Sequence, residues 1–449
     1  MFSSSASHRL FGTDGVRGRA GVAPLDVGTV RRLGAALVRV LDAPGVRLIV
    51  GRDTRESSPW IERELAYGVR AEGAQITSVG MLPTPAVAYL TRALSCDAGL
   101  MISASHNSFE DNGVKVFSGA GAKYGEAAER RIEALVADPS WRVPDGEASE
   151  VDTADHTAAY LDHVSLALPR PERLAGLRVA VDCANGAMTG HAPRLLERLG
   201  FEVTTIAAEP DGCNINRGCG STHPEGLAEH VRARGIRFGV AFDGDGDRAI
   251  LVDHRGRIVD GDAVLLLCAR QMKVEGRLRG HAVVATVMSN VGLEIGLRES
   301  GIELVRCPVG DKYVMEAMAA RGLVLGGEQS GHVIFGEQMQ AGDGLLTVLN
   351  VLRTMAATGR ELADLADDLR RLPQVLVNVR VRHRVDLHAV TPVAAAMRRV
   401  QAGLGSEGRL LVRYSGTEPV LRIMIEGRDE RAIRGWADEI AAEVRRQMS

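Results

Sequence analysis

The sequence predicts an α/β protein: three similar mixed-sheet α/β domains followed by a C-terminal α+β domain, set around one central cleft. Three observations carry this. Short continuous apolar runs alternate with amphipathic segments, as strands buried on both faces alternate with helices. The order strand–loop–helix–strand–helix–strand occurs three times, each time running into a polar loop. Beyond residue 370 the order strand–helix–strand–strand–helix, opened by the alternating VLVNVRVRH, suggests a small α+β domain. The expected boundaries are 1–155, 156–255, 256–370 and 371–449.

The first repeat opens with the strand VRLIV (46–50) and the polar loop GRDTRESS. A helix is expected from Pro59, a good first-turn residue behind the capping candidate Ser58, to about Gly73. The strand QITSVG, the helix AVAYLTRAL and the buried strand AGLMIS follow, leading into SASHN. The second repeat has the strand LRVAVD (177–182), the loop CANGAMTG, the helix APRLLERL and the strand FEVTTIA. Its helix EGLAEHVRARG and strand IRFGVAFD lead into DGDGDR. The third has the strand HAVVATV (281–287), the helix VGLEIGLRES, the strand IELVRC, the helix KYVMEAMAARG and the strand LVLGG, ending in GEQSGH. Ligands of open α/β sheets gather beyond the carboxyl ends of strands. The loops SASHN, DGDGDR and GEQSGH are therefore expected to face one cleft. The linker is expected at 363–373; the tail then reads VLVNVRVRH, VTPVAAAMRRVQAGLG, RLLVRY, SGTEP, VLRIMIEG and a long final helix.

Composition narrows the function. Lys+Arg number 54 against 57 Asp+Glu, a formal charge of -3, which argues against a dedicated nucleic-acid binder. No apolar run approaches the ~18 residues of a membrane span, and MFSSSASHRLFG lacks the apolar centre of a signal peptide. Six cysteines without a CxxC pair fit a reducing, cytoplasmic location. The 51 glycines exceed the usual ~7% and imply many tight loops.

The loops carry the chemistry. DGDGDR places Asp243, Asp245 and Asp247 between glycines directly after a strand. Three hard oxygen donors so close suit Mg²⁺, and their charge is costly without a cation. ISASHNSFEDNGVKVF (102–117) offers Ser103 and Ser105 as nucleophiles, with His106 and Lys115 as possible bases. RYSGTEP (413–419) combines Arg413 with a loop whose backbone N–H groups can nest an anion. GEQSGH presents Glu328, Ser330 and His332, groups able to bind sugar hydroxyls. FGTDGVRG (11–18) supplies Arg17 in a glycine-rich loop. In VGDKYV, Lys312 is available to an anion, though a helix cap at Asp311 is the simpler reading.

From FGTDGVRG through SASHN, DGDGDR and GEQSGH to SGTEP, in that order, the chain resembles the alpha-D-phosphohexomutase superfamily end to end. FGTDGVRG, NINRGCGSTHPE (214–225), VGDKYV and the Gln of GEQSGH resemble its bacterial branch acting on glucosamine phosphates. That resemblance implies interconversion of glucosamine 6-phosphate and glucosamine 1-phosphate through glucosamine 1,6-bisphosphate, feeding cell-wall precursor synthesis. It implies Ser105 as the phosphorylated serine, with Ser103 its competitor, and Mg²⁺ held by Ser105, Asp243, Asp245 and Asp247. It further implies Lys115 as general base, His106 as support for the phosphoryl site, and Arg17 and Arg248 on phosphate charge. Glu328, Ser330 and His332 would take the sugar, and Arg413, Ser415, Gly416 and Thr417 the phosphate not transferred. A homodimer is implied as well. One departure is Ser108, where the family usually has proline; it lacks that ring's fixed φ. The rivals are a phosphomannomutase/phosphoglucomutase, a plain phosphatase and a non-catalytic sugar-phosphate sensor.

Overall fold

The computed structural model describes residues 10–448 except 13, 406–407 and 416–418. The first repeat contains β1 (Val16–Arg19), α1 (Val27–Leu41), β2 (Arg47–Arg52), α2 (Ser58–Ala71), β3 (Gln75–Met81), α3 (Thr84–Ala93), β4 (Ala98–Ile102), β5 (Asp111–Ser118) and α4 (Glu126–Ala137). The second contains α5 (Thr157–Ser165), β6 (Arg178–Asp182), α6 (Ala192–Arg198), β7 (Glu202–Ile206), α7 (Glu225–Arg234), β8 (Phe238–Phe242), β9 (Ala249–Asp253) and β10 (Ile258–Val259). The third contains α8 (Gly261–Val274), β11 (Ala282–Thr286), α9 (Val291–Glu299), β12 (Glu303–Cys307), α10 (Asp311–Arg321), β13 (Leu325–Gly327), β14 (Val333–Phe335), α11 (Gly344–Thr358) and α12 (Leu362–Ala366). The C-terminal part contains β15 (Gln374–Arg380), α13 (Thr391–Leu404), β16 (Arg409–Tyr414), β17 (Val420–Glu426) and α14 (Glu430–Met448).

The three repeats share one topology: the sheets run β5-β4-β2-β3, β9-β8-β6-β7 and β14-β13-β11-β12. β1 and β10 extend the outer edges of the first two. β2 lies parallel to β3 and β4, and β6 parallel to β7 and β8. The last strand of each repeat returns antiparallel. The loop joining it to the preceding strand holds SASHN, DGDGDR or GEQSGH, so the three motifs occupy equivalent places. That antiparallel strand is an addition to the sequence reading. β5 moves Lys115 out of a loop onto a strand, opposite Met101, and β1 does the same for Arg17, opposite Gly113.

Strands β4, β8 and β11 are buried along their whole length, which their unbroken apolar composition demands. In the first repeat, Leu48, Val50, Leu100, Ile102 and Val114 of the sheet pack with Leu33, Leu37, Ile61 and Leu65 of α1 and α2. Those helices cross closely because Gly34 and Gly68 face the opposite backbone. A Cβ on Gly68 would fall 1.9 Å from Arg31 O, and one on Gly34 2.3 Å from Leu65 O. The helix starts follow cap chemistry with two corrections. α2 begins at Ser58 behind Ser57, and the Ser58 hydroxyl donates to Asp53 Oδ1 at 3.0 Å instead of capping. Gly310, not Asp311, precedes α10, which leaves the Asp311 carboxylate to pair with Lys123. Part of the expected linker is the helix α12, because Leu362, Ala363 and Leu365 are buried.

Two compact units divide the chain: residues up to 288 with 304–367, and residues 289–303 with 368 onward. In the second, the antiparallel sheet β15-β17-β16 is covered by α13 and α14 through Val379, Leu421, Ile423, Val400, Ile433 and Ile440. α9 belongs to this unit. Its cap residue Asn290 donates through Nδ2 to Leu372 O at 3.0 Å and to Glu426 Oε1 at 3.2 Å. Among the described residues no helix is long and apolar enough to cross a membrane.

Candidate active site

Beyond the buried end of β4 the two candidate serines part company. Ser103 Oγ donates to Asp53 Oδ2 at 2.6 Å and accepts from Ser105 N at 2.9 Å, so its hydroxyl is committed to holding the loop. Ser105 Oγ instead donates to Asp243 Oδ2 at 2.5 Å, across 138 residues of sequence, and lies 3.3 Å from His106 Nδ1. Burial and the nearby Arg248 and Arg17 charges push the His106 imidazole down to about 4, so it is neutral at physiological pH.

The loop after β8 brings one carboxylate oxygen each from Asp243, Asp245 and Asp247 within 4.8 Å of one another, all buried. Gly244 is required here, since any Cβ would stand 2.6 Å from Ser105 O. Burial, then the Asp247 and Asp245 charges, push Asp243 well above the usual carboxylate range. Asp247 goes the other way: burial opposes its ionisation, but Lys115, His332 and Arg248 hold it at about 2. Two oxygens, Asp245 Oδ1 and Asp247 Oδ1, are buried without a hydrogen-bond partner. Buried, unsatisfied hard oxygen acceptors in a cluster of acids suit a divalent cation. The residues present fit Mg²⁺.

Lys115 Nζ contacts Asp245 Oδ2 at 2.7 Å, Asp14 Oδ2 at 3.0 Å and Asp247 Oδ2 at 3.1 Å. Burial favours its neutral form, yet these carboxylates outweigh burial and raise its pKa well above the ordinary value. Lys123 bridges Asp14 and Asp311 in the same way. Burial opposes ionisation of Asp14 too, but Lys115, Lys123 and Arg17 hold it well below the usual range.

Beside these groups lies a cavity of about 460 Å³ walled by all three repeats. Arg17, His106, Arg248, Glu328 and His332 line it, with Asp14, Asp247 and Asp311. Arg17 is fixed by Asp14, and Glu328 Oε1 accepts from Gly310 N at 3.0 Å. The His332 ring packs on Gly342, where a Cβ would come within 2.2 Å of Nε2. Ser330 is exposed on its loop. Lys312 is turned to Glu129, 3.2 Å away.

Sequence reasoning missed Asp14, Lys123, Asp311, Asp53, Arg55 and Asn216. Asp14 sat in view within FGTDGVRG, and Asp53 with Arg55 in GRDTRESS, but Lys115 and Lys123, which pair with Asp14, and the Ser105 and Asn107 carbonyls that Arg55 holds lie far along the chain. In the second unit, Arg413 on β16 stands opposite Arg422 on β17. Arg384 Nη2 donates to Ser415 O at 2.5 Å and Arg422 Nη2 to Ser415 Oγ at 3.5 Å. Arginines 384 and 422 were not foreseen there; Gly416 and Thr417 lie outside the described residues.

A three-repeat α/β fold with a serine against a carboxylate triad defines the phosphoryl-transfer proteins built on this plan. All four domain models of one family match: phosphoglucomutase/phosphomannomutase alpha/beta/alpha domains I, II and III over residues 8–142, 158–256 and 260–372, and the C-terminal domain over 376–443. The chain belongs to the phosphoglucomutase/phosphomannomutase family. It is 44% identical over 449 residues to the phosphoglucosamine mutase of Syntrophotalea carbinolica, covering 98% of each chain. The solved structure of a phosphoglucomutase/phosphomannomutase family protein from Burkholderia thailandensis superposes with a TM-score of 0.81 at 26% identity, covering 98% of this chain and 97% of that one. N-acetylphosphoglucosamine mutase of Aspergillus fumigatus, solved with GlcNAc-6P and magnesium, has the same fold: TM-score 0.67, 17% identity, 97% and 95% coverage.

Proposed function

We propose that the chain interconverts glucosamine 6-phosphate and glucosamine 1-phosphate, the activity of a phosphoglucosamine mutase. The observation that carries this is Ser105 Oγ held 2.5 Å from Asp243 in the carboxylate triad, beside a cavity with two arginines on its wall. The near-full-length likeness to a protein of that name supports the choice of sugar.

The phosphoryl group on Ser105 Oγ passes to the free hydroxyl of the hexosamine monophosphate. The serine O–P bond breaks as the sugar O–P bond forms, giving glucosamine 1,6-bisphosphate. After the bisphosphate reorients, its other phosphoryl group returns to Ser105 and the isomeric monophosphate leaves. Such transfers need mainly positioning and charge neutralisation. Mg²⁺, held by Asp243, Asp245, Asp247 and the phosphoserine, supplies positive charge against the phosphoryl oxygens when bound. Arg17 and Arg248 add theirs from the cavity wall. Lys115 is read as the acceptor of the hydroxyl proton once it is neutral: two of the three carboxylates that hold its ammonium, Asp245 and Asp247, belong to the set that would hold the cation, whose charge would offset theirs. Neutral His106 supports Ser105 Oγ. Glu328, Ser330 and His332 bind sugar hydroxyls, and Arg413, Ser415, Gly416 and Thr417 the phosphate not being transferred. The domain boundaries expected above, a cytoplasmic location, a homodimer and supply of cell-wall precursors belong to the same reading.

The deciding experiment is a substrate panel of glucosamine, glucose and mannose phosphates with a trace of sugar bisphosphate. Preference for glucosamine phosphates is expected. Preference for glucose or mannose phosphates would give the rival mutase, release of free phosphate a phosphatase, and no turnover with an unphosphorylated Ser105 by intact mass a sensor.

A further inference from the structure

Ser105 has φ +54°, in the left-handed region, where a residue other than glycine is strained and persists only when its surroundings over-determine it. What imposes that angle is visible on either side of His106. The carbonyl oxygens of Ser105 and Asn107 each receive two side-chain donors from the same pair of residues. Arg55 Nη2 donates to Ser105 O at 3.0 Å and to Asn107 O at 2.9 Å. Asn216 Nδ2 donates to the same oxygens at 2.9 and 3.0 Å.

Neither side chain is free to do otherwise. Arg55 is 1% exposed; its Nε pairs with Asp53 Oδ2 at 2.9 Å, and its Nη1 donates to Asp111 O at 3.0 Å and to Ser108 O. The planar guanidinium thus spans four carbonyls of one loop, which a lysine ammonium cannot do. Its bond to Ser108 O also restrains a residue that has no ring to fix its φ. Asn216 comes from the second repeat, in the NINRGCGSTHPE segment that the proposed chemistry leaves unused. It is buried, left-handed itself at φ +58°, and fastened by its N–H to Ala184 O at 2.9 Å. Two repeats therefore close on two oxygens that flank the nucleophile's neighbour. Neither Arg55 nor Asn216 is among the residues that line the cavity.

We propose that Arg55 and Asn216 are positioning residues that lock the 105–107 turn and so aim Ser105 Oγ at the carboxylate loop. This rests on Ser105 being the phosphoryl carrier. The test uses the full-length enzyme with Asn216→Gly, which accepts the left-handed angle but removes the donor. Asn216→Asp keeps the shape but turns a carboxylate oxygen on two carbonyls, and Arg55→Lys keeps the charge but loses the fork. Expected for each folded variant is a kcat about 10- to 100-fold lower with KM within about twofold, since misplacement by an ångström costs about that much. Phosphorylation of Ser105 by glucosamine 1,6-bisphosphate, followed by intact mass, should slow in parallel. Should Arg55→Lys not fold, because it leaves Asp53 poorly paired, the Asn216 variants decide. A wild-type kcat and phosphorylation rate in both folded Asn216 variants, or a raised KM with kcat unchanged, would overturn the inference. Ser105→Ala is run beside them. If it turns over, the carrier assignment has failed; if it is inactive while the Asn216 variants behave as wild type, only the positioning role has.

Discussion

Ser103 and Ser105 stand two positions apart and differ in everything their hydroxyls touch. Ser103 Oγ is spent on Asp53 and on the Ser105 N–H, whereas Ser105 Oγ meets the acidic loop. Ser105→Ala should therefore abolish turnover and leave no phosphate on the protein by intact mass. Ser103→Ala should keep a substantial fraction of kcat while losing about 1–2 kcal/mol of stability, because it leaves one buried N–H unsatisfied. Activity in the first and none in the second would reverse the assignment. For Lys115, substitution by arginine preserves the positive charge but removes a group able to give up its proton. If Lys115 is the base, Lys115→Arg should lower kcat by about 10²-fold or more; near-normal turnover would mean that only its charge counts. At this scale the sequence disclosed the groups spaced closely along it, such as Asp243, Asp245 and Asp247. Lys123 was not legible, because its partners Asp14 and Asp311 lie 109 and 188 residues away. A charged residue inside a loop looks like any other until folding supplies its counter-ion.

Helix α11 shows how an element's end can set a pH dependence. Asp343 caps it, accepting from Leu345 N and Leu346 N, while the Tyr160 hydroxyl donates to the same carboxylate at 3.0 Å. Burial pushes this carboxyl up to about 7 despite those three hydrogen bonds, from an ordinary 3.8. Between about pH 4 and 7 the folded chain then holds a proton that the unfolded chain has lost, so this residue's contribution to stability falls as pH rises and levels off above 7. Asparagine caps a helix equally well and has no charge to bury. Asp343→Asn should melt higher than the wild type at pH 8, with the gap closing toward pH 5; a gap independent of pH would refute the buried-charge account. The main strands and helices were legible because apolar runs and amphipathic periods survive any context. β5 was not: Asn112 and Lys115 interrupt its pattern, and both are buried only because Ser57, Ser58 and the acidic loop satisfy them. The start of α2 moved by one residue for the same reason, Ser58 being drawn to Asp53.

For the whole molecule, a formal charge of -3 conceals strong local fields. The buried triad leaves two carboxylate oxygens without a hydrogen-bond partner. A cation that binds only the folded chain must then stabilise it by mass action, by about 2.7 kcal/mol at a hundred times its Kd. Mg²⁺ should raise Tm, the rise should vanish in Asp247→Asn, and thorough chelation should stop turnover; activity in metal-free buffer would contradict the site. The threefold plan was legible at this scale because each repeat spells the same order of elements. The membership of α9 was not, since nothing in VGLEIGLRES reveals that its cap residue is held by Leu372 and Glu426. That attachment governs how the protein can be dissected. The chain enters the second unit at 289, leaves at 304 and returns at 368, so the two units are not separable by a single cut. Shortening the chain at residue 367 would remove a tail and also strip the support from a helix some seventy residues upstream. Such a fragment should be recovered aggregated or protease-sensitive around 289–303, and a soluble, protease-resistant fragment would show that α9 finds another home.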